Sequence, residues 1–332
     1  MYVSNITDEG YKDVENKCFD DEHIEKVVAA IKTNFDVFFD KFIASENNIV
    51  ITNDEFYRLQ EKFGISAVKK DDIKNKSVSF KRIIVKAIDE FEKNREKYLS
   101  ILDLDCLEEY EDNPLSFKDR VLKNECPVIH STLMNKTAKE LDKYRLNFRQ
   151  SNPQELLQVV TNLTSFGIEY IDNNSDHKIY DEIDNVDELG LLELDEDKYT
   201  VYSVIGGGIK SHLLYKLHPG LFPNRSRDAI WAMWFLTGKE TFGCIMDSEF
   251  LMIDTVKYIT QQNYFYPYGL FGYYAFEIYK LLKEKAELAK VYIDPEYRYV
   301  IVNEFLEFIA KIHDDEIKFL KSQIRDGGLG YA

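Results

Sequence analysis

From Glu22 to Ala44 the apolar residues Ile24, Val27, Val28, Ile31, Phe35, Phe38, Phe39 and Phe42 recur at spacings of three and four, which predicts a helix with one apolar face. Val78 to Leu102 repeats the pattern with Phe80, Ile83, Ile84, Ala87, Ile88, Phe91 and Tyr98, opposite a face of Lys and Glu. Between these two, a shorter helix is expected to start at Asn53, an N-cap residue type, and to stop before Gly64. Leu104 to Asn113 is acidic, is closed by Pro114 and reads as a connection. Helices resume over Asn135 to Asn147 and Pro153 to Phe166, where a proline suits a first turn because its missing N–H would be unbonded there anyway. The last third predicts helices over Arg227 to Leu236 and Tyr268 to Val291, then one opened by Asp294 and Pro295. Apolar residues from Val300 to Leu320 carry that helix toward Ile324, and Gly327, Gly328 and Gly330 end it.

One stretch breaks the helical period. Leu191, Leu192 and Leu194, the turn-like Asp195 to Asp197, and then Tyr199 to Ile205 predict a small β-hairpin. Preceded by helices and opened by Gly190, it has the outline of a winged-helix-like unit near residues 190–205. The expected fold class is therefore mainly α: a multi-helix globular protein with a small β-hairpin. Three regions suggest themselves: a helical domain over 1–112, a helical region with an acidic block and the hairpin over 113–205, and a helical domain over 206–332. No repeat of fixed period and no low-complexity tract interrupts them.

Charge changes this picture. The 332 residues hold 59 Asp plus Glu against 42 Lys plus Arg, a net charge of −17, which excludes a surface that coats nucleic acid or an anionic membrane throughout. Hydrophobic residues at 45% and aromatics at 14% are ample for a core. Cys18, Cys106, Cys126 and Cys244 lack CxxC spacing, so reduced thiols are expected rather than a zinc knuckle or a disulfide framework. Met1 to Gly10 lacks a signal-peptide pattern, and no apolar run reaches membrane-spanning length, so the expectation is a cytoplasmic protein with no membrane partner. Abundant Lys, Asn, Ile and Tyr resemble the product of an AT-rich prokaryotic or phage gene.

The excess is uneven. Glu169 to Asp197 holds twelve acidic residues and one lysine, a net of −11 in 29 positions. A recognition helix over Lys178 to Glu188 would present Asp181, Glu182, Asp184, Asp187 and Glu188 to phosphates, and repulsion forbids that docking. The acidic residues 169–197 instead suit a basic protein partner. Directly after them, thirty positions from Lys198 to Arg227 contain no acid but five cations: Lys198, Lys210, Lys216, Arg225 and Arg227, with His212 and His218 beside them.

Within that stretch, Gly206, Gly207 and Gly208 lie between an expected strand, Tyr199 to Ile205, and an expected helix, Ile209 to Leu217. Glycines let backbone amides approach an anion, and a helix N-terminus adds partial positive charge, so the segment has the parts of a phosphate cradle. It is not a P-loop, because GxxxxGK followed by Ser or Thr is absent, nor a dinucleotide fingerprint, because Ser211 stands where the third glycine belongs. Ile205 to Leu217 more nearly resembles the hairpin of helix-hairpin-helix DNA-binding proteins, in which a Gly-x-Gly turn offers amides to a phosphate. The resemblance covers about 25 residues. It departs at Gly207, where an apolar residue is expected, and at His212, where a small one is. No acid follows until Asp228, so glycosylase chemistry is not implied. Alternatively, the glycines make a tight turn and the cations neutralise the acidic block within the fold. Ser226 also suits an N-cap of the helix carrying Trp231.

Other constellations are weaker. Nine of sixteen residues from Tyr264 to Tyr279 are aromatic, yet no Lys or Arg lies between Lys257 and Lys280, which favours a tyrosine-rich core over a base-stacking platform. Asp247, Glu249 and Asp254 precede Lys257, but the Asp254–Lys257 spacing is wrong for a restriction-nuclease-like site. His212 and His218 fall on different faces of one helix, GxSxG is missing, and no metal or cofactor site is expected. The leading expectation is a non-catalytic protein that engages a phosphate-bearing ligand, DNA or RNA, through residues 206–227. Gly206, Gly207 and Gly208 would supply amides, and Lys210, His212, Lys216, Arg225 and Arg227 would line the site. The alternatives are an acidic protein-interaction or inhibitor module, such as a nucleic-acid mimic of phage or defence type, and a nuclease-like enzyme with a dispersed site.

Overall fold

Helix α1 (Asp21–Ser45) buries Val27, Val28, Ile31, Phe35, Phe39 and Phe42, the stripe its period predicts. It belongs to a computed structural model that describes residues 14, 17–46, 72–138, 141–244, 249–254, 259–263 and 266–322. The expected helix from Asn53 and the terminal glycines 327–330 lie outside the described residues.

The expected helix over Val78 to Leu102 is two, α2 (Asp72–Glu92) and α3 (Arg95–Ile101). Asn94 separates them at φ 63°, a left-handed conformation that Asn tolerates better than most side chains. The break turns Arg95 so that its Nε and Nη2 donate to the carbonyls of Lys216 and Leu217 at 3.1 and 3.0 Å. The stretch from Leu104 is not a plain connection: α4 (Leu104–Glu108) forms there, with the Asp103 carboxylate accepting from the Cys106 N–H. A π-helix over Phe117–Glu125 leads into α5 (Pro127–Met134). The helix expected from Asn135 begins later, as α6 (Asp142–Gln150), and α7 (Pro153–Asn173) starts at its proline under an Asn152 cap.

The protein is mainly α and, among the described residues, has one small antiparallel hairpin, which is not at residues 190–205. β1 (Leu251–Asp254) pairs with β2 (Ile259–Gln262), Leu251 opposite Gln262. Residues Leu191–Asp195 and Asp197–Tyr199 instead form 3-10 turns, followed by a lone bridge between Val201 and Ile205. The apolar run misleads because a 3-10 turn eclipses residues three apart, so Leu191 and Leu194 are buried together without a strand. Lys178 to Glu188 likewise forms two short helices, α8 (His177–Asp181) and α9 (Val186–Leu189), so no winged helix is built there.

Helix α10 (Gly207–Leu217) and α11 (Arg227–Leu236) follow, the latter with the Ser226 hydroxyl accepting from the Ala229 N–H at 3.1 Å. After the hairpin come α12 (Tyr268–Leu288), α13 (Arg298–Ile312) and α14 (Asp314–Ser322), so the run expected to Ile324 is broken at His313. Helix α1 packs on α2, α11, α12 and α13, and buried apolar residues from Cys18 to Ile317 form one cluster. Among the described residues, no helix is long and apolar enough to cross a membrane.

Candidate functional site

Gly206 precedes α10 in extended backbone, φ −95° and ψ −172°, and no side chain caps the first turn. The reason for glycine at 207 is steric: a Cβ there would collide with Nη1 of Arg225. Arg225 is 4% exposed, and its Nη2 donates to the carbonyl of Asn263 at 2.8 Å. Ser211 ties the two segments together, its hydroxyl donating to the Gly208 carbonyl and accepting from the Arg225 N–H, both at 3.1 Å. The glycine turn and the arginine that sequence reasoning groups together are therefore in contact, and the arginine faces inward.

The other cations are also engaged within the protein. Lys210 is 3% exposed and its ammonium donates to the Leu194 carbonyl and to Thr200 Oγ1. Lys216 is buried, donates to the Phe91 carbonyl at 2.6 Å and lies over the Phe91 ring. Burial lowers its pKa to about 8. Lys198 is exposed between Glu193 and Glu196, at 2.9 and 3.1 Å, and Arg227 is exposed beside Asp228 at 3.4 Å. All five cations of the acid-free stretch thus have partners in the fold. His212, half-buried, meets the Tyr98 hydroxyl at 3.1 Å. Burial and Lys216 push its pKa down to about 4, so the ring is neutral at pH 7. Burial and Arg95 likewise lower His218 to about 4. Among the described residues, no cluster of His, Cys, Asp or Glu could hold a metal ion.

Asp195, from the acidic block, meets this segment. The residue counts as exposed, yet its Oδ1 accepts from the Tyr268 N–H at 2.7 Å and its Oδ2 from the Gly269 N–H at 3.0 Å, on the first turn of α12. Removal from water raises the Asp195 pKa, while the two amides, Lys210 and Arg225 oppose that rise. An internal carboxylate therefore occupies a helix N-terminus of the kind that binds a phosphate, with two of the expected phosphate-binding cations acting on it.

The remainder of the block faces outward. Ten of its other eleven acids are exposed, while Ile183, Val186, Leu189, Leu191 and Leu194 between them are buried. The exception, Asp181, holds Arg298 and Lys283 at 2.6 and 2.8 Å. Ile179 stands among these acids 68% exposed. A surface concavity of about 480 Å³ beside it is lined by Ser175, Asp176, His177 and Lys178.

One polar cluster is invisible in the sequence. Glu249 is fully buried, with one carboxylate oxygen on His23 Nε2 and the other accepting from the Tyr266 hydroxyl. Burial raises its pKa to about 7, against the hydrogen bond from Tyr266. His23 and Glu249 lie 226 residues apart, so no local motif could have joined them. Of the acids weighed for a nuclease, Asp247 lies outside the described residues with Lys257, and Glu249 is inside the core. The aromatic run is core as well: Tyr266, Tyr268, Phe271, Tyr273, Tyr274, Phe276 and Tyr279 are buried, and residues 264–265 lie outside the described set. Comparison with protein-family models, curated proteins and solved structures finds no match for this chain.

Proposed function

We propose that the chain is a protein-interaction module that presents the acidic segment Glu169–Asp197 to a basic partner protein. The observation that carries this reading is the division of charge: apart from Asp181 and Asp195, the acids of that segment face solvent, while the cations of the adjoining stretch have partners within the fold. A surface of single-sign charge steers an oppositely charged partner, and exposed Ile179 offers apolar contact inside that field. In a pull-down, a basic protein should be retained by the wild type, released as salt rises, and lost by a variant carrying Asp184→Lys, Asp187→Lys and Glu188→Lys. Equal retention by both chains would overturn the reading.

A second reading keeps a phosphate-bearing ligand, DNA or RNA, at the uncapped turn Gly206–Gly208. Its support is that no side chain caps the first turn of α10 and that the space beside Gly206 is open. Titration with short DNA and RNA at low salt tests it: binding that disappears with Arg227→Ala would favour it over the acidic-surface reading, and no binding would remove it.

A further inference from the structure

The His23–Glu249 contact joins two parts of the chain that nothing else in the sequence relates. His23 lies in the first turn of α1, and Glu249 immediately precedes the residues that enter β1. The clasp is reinforced on the hairpin side: the Asn263 side chain donates to the Glu249 carbonyl at 3.2 Å, and the Asn263 N–H donates to the Phe250 carbonyl at 2.8 Å. Aromatic rings surround it, with Phe242 edge-on to His23 and Phe250 against Tyr266 and Tyr274. Among the described residues, the titratable groups in contact with the Glu249 carboxylate are His23 of α1 and Tyr266 after β2. Tyr274 of α12 lies behind Tyr266 at 3.4 Å between hydroxyls, and Cys18, before α1, acts on Tyr274. Burial holds both tyrosines well above their ordinary value, so among these groups the Glu249 carboxyl is the one brought near neutrality.

Such a pair holds one shared proton as either an ion pair or a neutral pair. Loss of that proton leaves a carboxylate in an apolar core against a neutral ring, and an uncompensated buried charge is the costly state. We propose that His23 and Glu249 form a proton-operated clasp: the β1–β2 hairpin packs mainly on α11 and α14, the shared proton ties its entry to α1, and loss of that proton loosens the tie. The raised pKa of Glu249 places the change near neutrality, with the clasp closed on the acid side and loosened on the alkaline side.

Native-state hydrogen exchange on the full chain tests this. After correction for the intrinsic rate, protection of the Asn263 amide and of the β1–β2 amides should fall at least about tenfold between about pH 6 and pH 8, a factor that corresponds to one pKa unit. The Glu249→Gln chain should show no such fall, because its amide can still meet His23 and Tyr266 and no buried carboxylate charge forms as pH rises. Constant protection in the wild type, or an equal fall in Glu249→Gln, would overturn the proposal. Should that variant fail to fold, the carboxyl ¹³C shift of Glu249 in the wild type decides. A midpoint near 7 that coincides with the loss of protection is expected, and a midpoint in the ordinary carboxylate range would overturn it.

Discussion

Asp195 reaches across to Gly269, accepting its backbone N–H at 3.0 Å and so capping a helix 74 residues further along the chain. A carboxylate at a helix N-terminus satisfies orphan N–H groups and meets the positive end of the dipole. Asp195→Asn keeps one acceptor but removes the charge that faces Lys210 and Arg225. Urea unfolding should register a loss of about 1–2 kcal/mol.

The cations of the acid-free stretch divide into structural and superficial ones. Lys210→Met leaves the Leu194 carbonyl without its ammonium, and Arg225→Met does the same to the Asn263 carbonyl. An orphaned buried acceptor costs about 1–3 kcal/mol, so each variant should lower the unfolding midpoint clearly. Arg227→Ala, which removes only an exposed contact with Asp228, should stay within about 0.5 kcal/mol of wild type. Equal effects at all three positions would contradict this division.

Two groups shifted by desolvation set opposite pH slopes. His212 has a folded pKa lowered to about 4 from 6.5, so the unfolded chain takes up the proton first as pH falls. Its contribution is complete above about pH 6.5 and is lost between about 6.5 and 4, amounting to about 3 kcal/mol for a gap of that size. Glu249 has a folded pKa raised from 4.5 to about 7, so its contribution is complete below about 4.5 and is lost as pH rises to about 7. Unfolding midpoints measured from about pH 8 down to pH 4.5 should show a flatter acid limb in His212→Gln and a more stable neutral limb in Glu249→Gln.

Glycines in the same neighbourhood should respond differently to alanine. A Cβ on Gly269 would stand 2.8 Å from the Leu192 backbone, where neither chain segment can yield cheaply. Gly269→Ala should therefore cost about 1–3 kcal/mol by overpacking. Gly206→Ala meets nothing within 4 Å at an ordinary φ, so thermal denaturation should shift little.

What sequence could and could not carry is clear at particular residues. Ser226 before Arg227, and Asn152 before Pro153, are local signals, and the helices begin there because capping needs only neighbours. Asn94 is locally ambiguous: its side chain permits the left-handed turn, but the Arg95 contacts with Lys216 and Leu217 that exploit it are more than a hundred residues away. A two-residue period puts a hairpin at 190–205 wrongly because Leu191 and Leu194 answer to α12, whose Gly269 and Gly272 admit a tight 3-10 turn that no such period describes. The charge pattern was legible as an anomaly, but its direction was not. Composition reports that acids and cations are adjacent, and only packing decides that Asp195 turns inward while its neighbours face water.

That inward turn also constrains how the chain can diverge. Asp195, Lys210 and Arg225 share one electrostatic environment although they come from separate segments, so a change at one alters what the other two tolerate. As copies of this sequence drift apart, these three positions should be exchanged together or held together, whereas Arg227 can drift alone. Covariation of this kind would mark the internal anion site even where overall identity has faded.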